Sequence, residues 1–327
     1  MSVDIKNITD SWAKEEPLYE ELGKIIFIYI KKHITEHEIL PEIFYRTKDL
    51  LSIIKKIKKK QREKEYDFKD LKDKLGIRII CNYKEELDKV DSFLKSNFRL
   101  LKTEYKQDVL NFDKLDYTSN HYDASLKLDI EFFKDKAHLS ELVFEIQVRT
   151  LNQHAWSNTS HQLSYKQEAD IQPYLKRRVY RLLSLYEIAD DEFSAVNKVL
   201  SDNPDNIIYS LIRKLEGKIY KYAQVDFDRV SSLINIKIII NYLDIKQQEK
   251  LLNQIDEFIN IRKDKINQIF EDNRIRFHQL SFITQPEIFV IWYCLENFYF
   301  EIVDEWENDM DLYELEESAN LWGLSLQ

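Results

Sequence analysis

Two patterns of hydrophobic and polar residues occur along this chain, and the pattern changes near residue 200. Before that point, segments with a helical period of 3.6 residues lie between segments that alternate at every second position. The helical pattern covers residues 18–33, 48–60, 85–94, 153–166 and 174–200, and the strand pattern covers residues 76–83, 99–105, 119–128 and 142–150. After residue 203, nearly every segment has helical spacing.

The turn-forming stretch 201–206, which contains Pro204, is the best candidate for a domain boundary. We therefore expect an α+β domain over residues 1–203, in which a mixed β-sheet is flanked by helices. We expect an all-α domain over residues 204–327. A length of 327 residues suits two domains of ordinary size.

Glycine is scarce enough to exclude two common ways of binding a nucleotide. The four glycines lie too far apart for a Walker A loop or a dinucleotide-binding fingerprint, so side chains must bind any nucleotide. The two cysteines are widely separated within apolar runs, which excludes a zinc ribbon and favours a reducing compartment. We find no signal peptide and no apolar run of membrane-spanning length, and we expect a cytoplasmic protein.

Charge is distributed unevenly along the sequence, whose formal net charge is −10. Residues 44–64 contain nine basic side chains against two acidic ones, whereas residues 301–317 contain nine acidic side chains and no basic one. A concentrated basic segment within an acidic chain is suited to binding a polyphosphate.

Polar side chains share one face on two of the predicted elements. Glu145, Gln147 and Arg149 alternate with apolar residues, which is typical of a ligand-binding strand but also of a solvated one. Lys48, Ser52 and Lys56 face away from the apolar stripe of the 48–60 helix. Two ammonium groups with a hydroxyl between them would suit a triphosphate, although a solvated basic face has the same pattern.

Further candidates flank these two elements. Asp73 and Arg78 lie at the start of the 76–83 strand, where a carboxylate could bind magnesium or simply form a turn. Tyr117, Ser119 and His121 alternate onto one face of another strand, where the tyrosine could stack on a base or pack across the sheet. The histidines of the 153–166 helix, His154 and His161, are expected to form hydrogen bonds rather than to bind a metal.

The order of these residues along the chain resembles the synthetase domain of the RelA/SpoT alarmone synthetases. The resemblance covers roughly residues 45–200. Four ordered groups carry it, namely Arg46-x-Lys48 with Ser52 and Lys56, Asp73-x-x-Gly76-Ile-Arg78, Tyr117-x-Ser119-x-His121, and Glu145-Ile-Gln-Val-Arg-Thr150.

The resemblance implies a nucleotidyltransferase-like fold that transfers the β,γ-pyrophosphate of ATP to a ribose 3′-hydroxyl of GDP or GTP. It implies Mg²⁺ as cofactor, a (p)ppGpp-type alarmone as product, and AMP as the leaving molecule. It assigns Arg46 and Arg78 to the donor adenine, Lys48, Ser52 and Lys56 to the ATP phosphates, and Asp73 and Glu145 to Mg²⁺, with Glu145 also as the base. It assigns Tyr117, Ser119, His121, Gln147, Arg149 and His161 to the acceptor.

Two departures from the family pattern leave the function open. The chain has no His-Asp dyad, which the hydrolase domain of the family requires, and Ser160 stands where many members have a glutamate. A domain of unexplained function follows residue 203. The alternative function is therefore a toxin that pyrophosphorylates the 3′-CCA end of tRNA and is neutralised by its own C-terminal domain in phage defence. A non-catalytic nucleotide-binding module is a third interpretation, against which Asp73 and Glu145 argue.

The charge distribution suggests how such an enzyme could be restrained. We expect the acidic segment 301–317 to dock over the basic segment 44–64, as an intramolecular regulator. Four apolar side chains would anchor this contact, namely Trp292, Phe298, Trp306 and Trp322. The alternative is an acidic end that only increases solubility. The sequence leaves the oligomeric state open.

Overall fold

A computed structural model describes residues 4–37, 39–105, 119–164, 173–202 and 207–326. The chain divides into two compact units. Unit 1 comprises Met1–Ile34 and Ile39–Asn197, and unit 2 comprises Thr35–Glu38 and Lys198–Gln327. The expected α+β class of the first part and the expected helical class of the second are both confirmed.

Unit 1 is built on a five-stranded mixed sheet with the strand order β1-β2-β5-β4-β3. The strands are β1 (Glu42–Thr47), β2 (Leu75–Cys81), β3 (Phe98–Tyr105), β4 (Asn120–Leu126) and β5 (Phe144–Thr150). The helices are α1 (Ile5–His33), α2 (Leu50–Lys60), α3 (Glu85–Asn97), α4 (Leu151–Ser164) and α5 (Pro173–Asp202). The central pair β2–β5 is parallel, and the pairs β1–β2, β4–β5 and β3–β4 are antiparallel.

One face of this sheet is apolar and carries the core. Phe144, Ile146 and Val148 are completely buried at alternate positions of β5, in one cluster with Ile26 of α1 and Val90 of α3. Because side chains of a strand alternate between its two faces, the intervening residues of β5 lie on the opposite face. The predicted alternation of this strand is therefore present.

Helix α1 begins at Ile5, well before the helical start that the sequence pattern predicts at residue 18. Asp4 caps it by accepting a hydrogen bond from the Asn7 N–H at 3.0 Å. Trp12 is buried on the same side as later core residues of the helix. Pro17 lies inside the helix at an exposed position.

Strand β1, which the sequence pattern did not predict, pairs with β2 at the edge of the sheet. Its residues alternate between exposed and half-buried, and Phe44 and Arg46 are among the exposed ones. Helix α1 packs closely against it, because a Cβ atom at Gly23 would lie 2.6 Å from the Tyr45 ring. Glycine at this position therefore allows the helix to approach the strand.

Unit 2 is helical throughout its regular structure. Its helices are α6 (Ile207–Ala223), α7 (Arg229–Asn241), α8 (Ile245–Ile261), α9 (Lys263–Asn273), α10 (Glu287–Asn297), α11 (Tyr299–Trp306) and α12 (Leu312–Leu321). Helix α10 is buried on all sides from Glu287 to Leu295, so it forms the centre of this unit. No helix in the described ranges of the chain is long and apolar enough to cross a membrane.

The tryptophans of unit 2 correct one expectation from the sequence. Trp292, Phe298, Trp306 and Trp322 were expected to anchor a docked acidic segment, but all four are buried in the core of unit 2 itself. Their apolar area is already used in folding this unit. Any docking of the acidic segment must therefore rely on its exposed charges.

Candidate active site

The polar face of the sheet in unit 1 carries two rows of side chains, fixed by strand register. Cα partners on neighbouring strands place their side chains on the same face of a sheet. The first row, from β1 to β4, is Arg46, Gly76, Glu145 and Asp123. The second row is Phe44, Arg78, Gln147 and His121.

A cleft of about 430 Å³ lies over this face. Seven of the candidate residues line it, namely Arg46, Lys48, Ser52, Asp73, Arg78, Glu145 and Gln147. Gly76 lies between Arg46 and Glu145 in the first row, and its missing side chain leaves the centre of the cleft open. The cleft therefore joins the residues assigned to the donor with part of those assigned to the acceptor.

Asp73 and two lysines form the first charged group of the cleft. Both Lys48 and Lys56 donate to the same oxygen of Asp73, Oδ2, and the Lys56 Nζ lies 2.6 Å from it. The other oxygen, Oδ1, is buried and has no hydrogen-bond partner within the described segments. This oxygen is therefore available to a ligand or a cation.

The position of Lys48 differs from the prediction. The sequence pattern placed it on the helix with Ser52 and Lys56, but the helix begins at Leu50 because Asp49 caps it. The Asp49 carboxylate accepts a hydrogen bond from the Ser52 N–H at 2.9 Å. Lys48 thus lies before the helix and still reaches Asp73, and its N–H donates to the carbonyl of Lys74 at 2.9 Å.

The pKa of Asp73 results from two opposing effects. Burial alone would raise the pKa of this carboxyl, but the hydrogen bonds and charges of Lys48 and Lys56 lower it below its usual range. Asp73 is therefore ionised at neutral pH.

Glu145 belongs to a chain of hydrogen bonds that crosses β4 and β5. His121 Nδ1 lies 3.1 Å from Oε1 of Glu145, and His121 Nε2 lies 2.7 Å from the hydroxyl of Ser119. With Nδ1 protonated, the imidazole donates to Glu145 and accepts from Ser119. Gln147 donates to the second oxygen, Oε2, at 2.8 Å, and its own carbonyl oxygen accepts from Arg149.

These contacts set the charge of Glu145. Burial would raise the pKa of Glu145, but the hydrogen bond and charge of His121 and the hydrogen bond from Gln147 lower it overall. Asp123 lies opposite Glu145 in the register, and burial together with the Glu145 charge raises the pKa of Asp123. The floor of the cleft therefore carries an ionised carboxylate, Glu145.

Cationic and imidazole groups lie near the carboxylates on the same side of the sheet. Burial and the neighbouring Arg78 lower the pKa of Arg149 to about 10, and burial with both arginines lowers the pKa of His154. The Nε atoms of Arg78 and Arg149 and the Nδ1 atom of His154 are buried, with no hydrogen-bond partner among the described residues. Buried donors without partners suit an anionic ligand.

A buried network supports the end of β5. Asp190 of α5 accepts hydrogen bonds from the Thr150 hydroxyl at 2.6 Å and from the Asn152 side chain at 2.8 Å. The Thr150 N–H donates to Gln153 at 2.8 Å. These bonds hold the β5–α4 junction, which directly follows Arg149.

The structure does not describe the side chains of two predicted acceptor residues. Tyr117 lies outside the described residues. His161 lies in α4, but its side chain is outside what the structure describes. Phe44 and Asp123 were not among the predicted site residues. Asp123 continues the alternation of Ser119 and His121 by one step, which would have identified it.

The donor set of the cleft fits Mg²⁺ bound together with a polyphosphate. Within the described part of the chain, no three His, Cys, Asp or Glu side chains are grouped to hold a metal by themselves. Mg²⁺ is usually bound by one or two carboxylates plus phosphate oxygens and water. Asp73, with its unpartnered Oδ1, and Glu145 supply those two carboxylates in the same cleft.

Comparisons with known proteins match the part of the chain that carries the cleft. Residues 45–170 match the family described as "Region found in RelA / SpoT proteins". GTP pyrophosphokinase YjbM of Bacillus subtilis (strain 168) is 23% identical over 168 residues, which are 49% of this chain and 74% of that protein. GTP pyrophosphokinase YwaC of the same organism is 25% identical over 208 residues, or 60% of this chain and 94% of that protein. The crystal structure of small alarmone synthetase 1 from Bacillus subtilis is 21% identical, with a TM-score of 0.49, and the match covers 59% of this chain and 100% of that one.

Proposed function

We propose that this chain, whose residues 45–170 contain the region found in RelA and SpoT proteins, is a cytoplasmic ATP-dependent pyrophosphokinase. It transfers the β,γ-pyrophosphate of ATP to the ribose 3′-hydroxyl of GDP or GTP, and the products are a (p)ppGpp-type alarmone and AMP. The observation that carries the proposal is one cleft in which the Lys48–Asp73–Lys56 cluster and the hydrogen-bonded Glu145 lie together.

The donor half of the cleft would bind ATP by exchanging ion pairs. Lys48 and Lys56 form ion pairs with Asp73. A triphosphate would draw the two ammonium groups to its own oxygens, which leaves the Asp73 carboxylate for Mg²⁺. Arg46 and Arg78, which also line the cleft, would stack on the adenine ring. When bound, Mg²⁺ would neutralise phosphate charge.

The transfer step needs one base and in-line positioning. The 3′-oxygen of the acceptor attacks the β-phosphorus, and its proton passes to the Glu145 carboxylate. The bond between the β-phosphorus and the oxygen that bridges to the α-phosphorus breaks, and this oxygen leaves on AMP. Ser119, His121, Gln147 and Arg149 hold Glu145 in place through the hydrogen bonds described above. We propose that this chain does not hydrolyse its product.

Incubation of the purified chain with [γ-³²P]ATP and Mg²⁺ tests this proposal. The label should move to a nucleotide when GDP or GTP is added, and unlabelled AMP should form in equal amount. Release of labelled inorganic phosphate with ADP as the other product would contradict pyrophosphate transfer. A chain that binds no ATP at all would contradict the proposed function as a whole.

A second acceptor, the 3′-CCA end of tRNA, is favoured by one specific feature. Exposed basic side chains extend along α2 and beyond it, away from the cleft, namely Lys55, Lys58, Lys59, Arg62 and Lys64. GDP does not need so long a basic surface, whereas a nucleic acid does. Deacylated tRNA in the same labelling experiment distinguishes the two acceptors, because the label would then move to RNA. A tRNA-modifying activity would make the chain a toxin of the kind that acts in phage defence.

We further propose that unit 2 restrains unit 1 through charge. Six carboxylates in the acidic segment 301–317 are exposed, namely Asp304, Glu305, Glu307, Asp309, Asp311 and Glu316. The exposed lysines of α2 carry the opposite charge. Restraint would be useful to an enzyme that does not remove its own product.

A further inference from the structure

The residue that follows Asp73 is a buried lysine. Lys74 is only 5% exposed, whereas Lys72 on the same segment is exposed. The Lys74 ammonium lies 2.7 Å from Oε2 of Glu15 in α1. It also lies 3.8 Å from the centre of the Phe68 ring and 5.8 Å from that of Tyr19.

Stability alone does not explain a charge at this position. Burial of an ammonium group costs its hydration free energy, and the ion pair and the aromatic ring offset part of this cost. Glu15 is half-buried, so water can still reach its carboxylate when the ammonium is removed, and a methionine at position 74 would fill the space of the lysine stem. The contacts of the ammonium therefore fix its direction more than they stabilise the fold.

The backbone of Lys74 connects this buried cation to the cleft. Its carbonyl oxygen accepts the N–H of Lys48 at 2.9 Å, so the main chains on both sides of the Lys48–Asp73 ion pair are joined here. Both residues lie in the turn that immediately precedes β2, and their side chains leave this turn in different directions. Asp73 accordingly lines the cleft while Lys74 reaches α1.

The partners of Lys74 are themselves fixed. Trp12 of α1 stacks on Tyr19 at 5.9 Å between ring centres, and it contacts Phe68 edge-on at 6.5 Å. All three rings are buried. The first half of α1, which the sequence pattern did not predict as helix, thus forms a rigid aromatic support under the Asp73 segment.

We propose that Lys74 is a positioning residue, which fixes Asp73 and Lys48 for binding of Mg²⁺–ATP through its contacts with Glu15 and Phe68. The inference rests on the proposed function of the cleft. A charged side chain held by an ion pair and a ring is confined in direction, whereas an apolar substitute only fills volume. Displacement of a binding group by about 1 Å can cost roughly 100-fold in function.

The test compares Lys74→Met with the matched control Lys72→Met, which removes the same charge from an exposed position. Calorimetry measures the binding of the ATP analogue AMPCPP with Mg²⁺ to the full chain. Thermal unfolding measures stability. We expect Lys74→Met to weaken AMPCPP binding by roughly 10- to 100-fold while the chain stays folded. Lys72→Met should bind within about twofold of the unsubstituted chain, and Lys74→Arg, which keeps the charge and stacks on Phe68, should recover most of the affinity.

Each outcome supports or overturns the proposed role of Lys74. Equal AMPCPP affinity in Lys74→Met and the unsubstituted chain overturns the proposal, and so does a loss of affinity that Lys74→Arg does not recover. If Lys74→Met does not fold, Phe68→Leu takes its place. An AMPCPP affinity of Phe68→Leu within twofold of that of the unsubstituted chain would then overturn the proposal. An unsubstituted chain that binds AMPCPP but transfers no pyrophosphate contradicts the proposed function and leaves the comparison of variants readable.

Discussion

At the scale of single residues, the cleft depends on carboxylates kept ionised by their neighbours. Asp73 and Glu145 are both largely shielded from solvent, and burial would favour their neutral forms. Two lysines reverse this effect at Asp73, and His121 with Gln147 reverses it at Glu145. Both carboxylates are therefore ionised, as the proposed roles in binding a cation and accepting a proton require.

The first prediction concerns the proton acceptor. Glu145→Gln keeps the size of the side chain, and its amide oxygen can still accept the hydrogen bond from Gln147. The substitution removes the basic carboxylate. We expect pyrophosphate transfer to fall by about 10²- to 10⁴-fold, the usual contribution of a positioned base. This fall is measured as the rate of AMP formation at saturating ATP and acceptor. Glu141→Gln, an exposed position before the same strand, is the control and should keep full activity. Near-normal turnover of Glu145→Gln would assign the base elsewhere.

The second prediction concerns the ion pairs of Asp73. If Asp73 binds a divalent cation as proposed, the ion pair with Lys56 competes with that cation for the carboxylate. Lys56→Met should therefore strengthen Mn²⁺ binding to the free protein by roughly three- to fivefold, since a partly exposed ion pair contributes up to about 1 kcal/mol. The same variant should weaken AMPCPP binding. Electron paramagnetic resonance of free Mn²⁺ measures the first effect.

Lys55→Met is the matched control for that experiment, because Lys55 is the exposed neighbour of Lys56 on α2. Its Mn²⁺ affinity should not change. Weaker or unchanged Mn²⁺ binding in Lys56→Met would show that Lys56 does not compete with the cation at Asp73.

At the scale of elements, the sequence predicted strands best where alternation continues over several residues. The 142–150 pattern was clear because Phe144, Ile146 and Val148 are all core residues. Strand β1 was missed because it lies at the sheet edge, where its inner residues are only half-buried and apolar alternation is weak. The first half of α1 was missed because Pro17 and charged residues obscure its period. What holds that part in a helix is the packing of Trp12 on Tyr19 and on the distant Phe68, which no local pattern shows.

The third prediction concerns helix α10. Its first residue, Glu287, is fully buried, and Oε1 accepts a hydrogen bond from Asn235 at 2.7 Å. Within the part of the chain described, Oε2 has no hydrogen-bond partner. Burial raises the pKa of Glu287 above its usual range, so the folded state takes up a proton more readily than the unfolded chain does. The contribution of Glu287 to stability is therefore present at low pH, and it is lost as the pH rises through the raised pKa of this carboxyl.

Glu287→Gln should accordingly stabilise unit 2 at neutral pH, by about 1–3 kcal/mol, because its amide oxygen can keep the hydrogen bond from Asn235 while the buried charge is removed. The difference from the unsubstituted chain should shrink as the pH falls toward the ordinary range of glutamate. Thermal unfolding followed by tryptophan fluorescence measures both, because Trp292, Trp306 and Trp322 lie in this unit. The exposed Glu249→Gln is the control. A pH-independent difference would show that the charge of Glu287 is not the cause.

At the scale of the whole molecule, the sequence predicted two domains and the uneven charge but not how the chain is shared between the units. Thr35–Glu38 belongs to unit 2, although unit 1 surrounds it in sequence. A Cβ atom at Gly217 would lie 2.6 Å from the Thr35 carbonyl oxygen, so this contact depends on a glycine about which the sequence says nothing. Contacts between positions so distant in sequence have no local signal.

The fourth prediction concerns restraint of unit 1 by unit 2. Deleting residues 204–327 should raise activity, but the deletion also removes the partners of Thr35–Glu38. The triple variant Asp304→Asn, Glu307→Gln, Glu316→Gln keeps unit 2 folded, because these side chains are exposed. We expect its activity to rise several-fold, since each exposed ion pair contributes up to about 1 kcal/mol. Added salt should raise the activity of the unsubstituted chain in the same way.

Activity that responds neither to the triple substitution nor to salt would exclude charge-based restraint. Unit 2 would then be an assembly or activating element. Substitution of the exposed Glu249, Asp226 and Glu271 by amides is the control, because it removes three charges of unit 2 outside the acidic segment 301–317.

The divided sequence of unit 2 has a consequence for biosynthesis. Thr35–Glu38 leaves the ribosome before any helix of its own unit has been made, whereas nearly all of unit 1 has been translated before α6 begins. At 5–20 residues per second, translation of the remaining chain takes on the order of ten seconds. If unit 2 restrains unit 1 as proposed, a nascent chain carries the complete cleft during that time without its restraint. The cell's exposure to unrestrained enzyme would then depend on how quickly ribosomes translate residues 204–327.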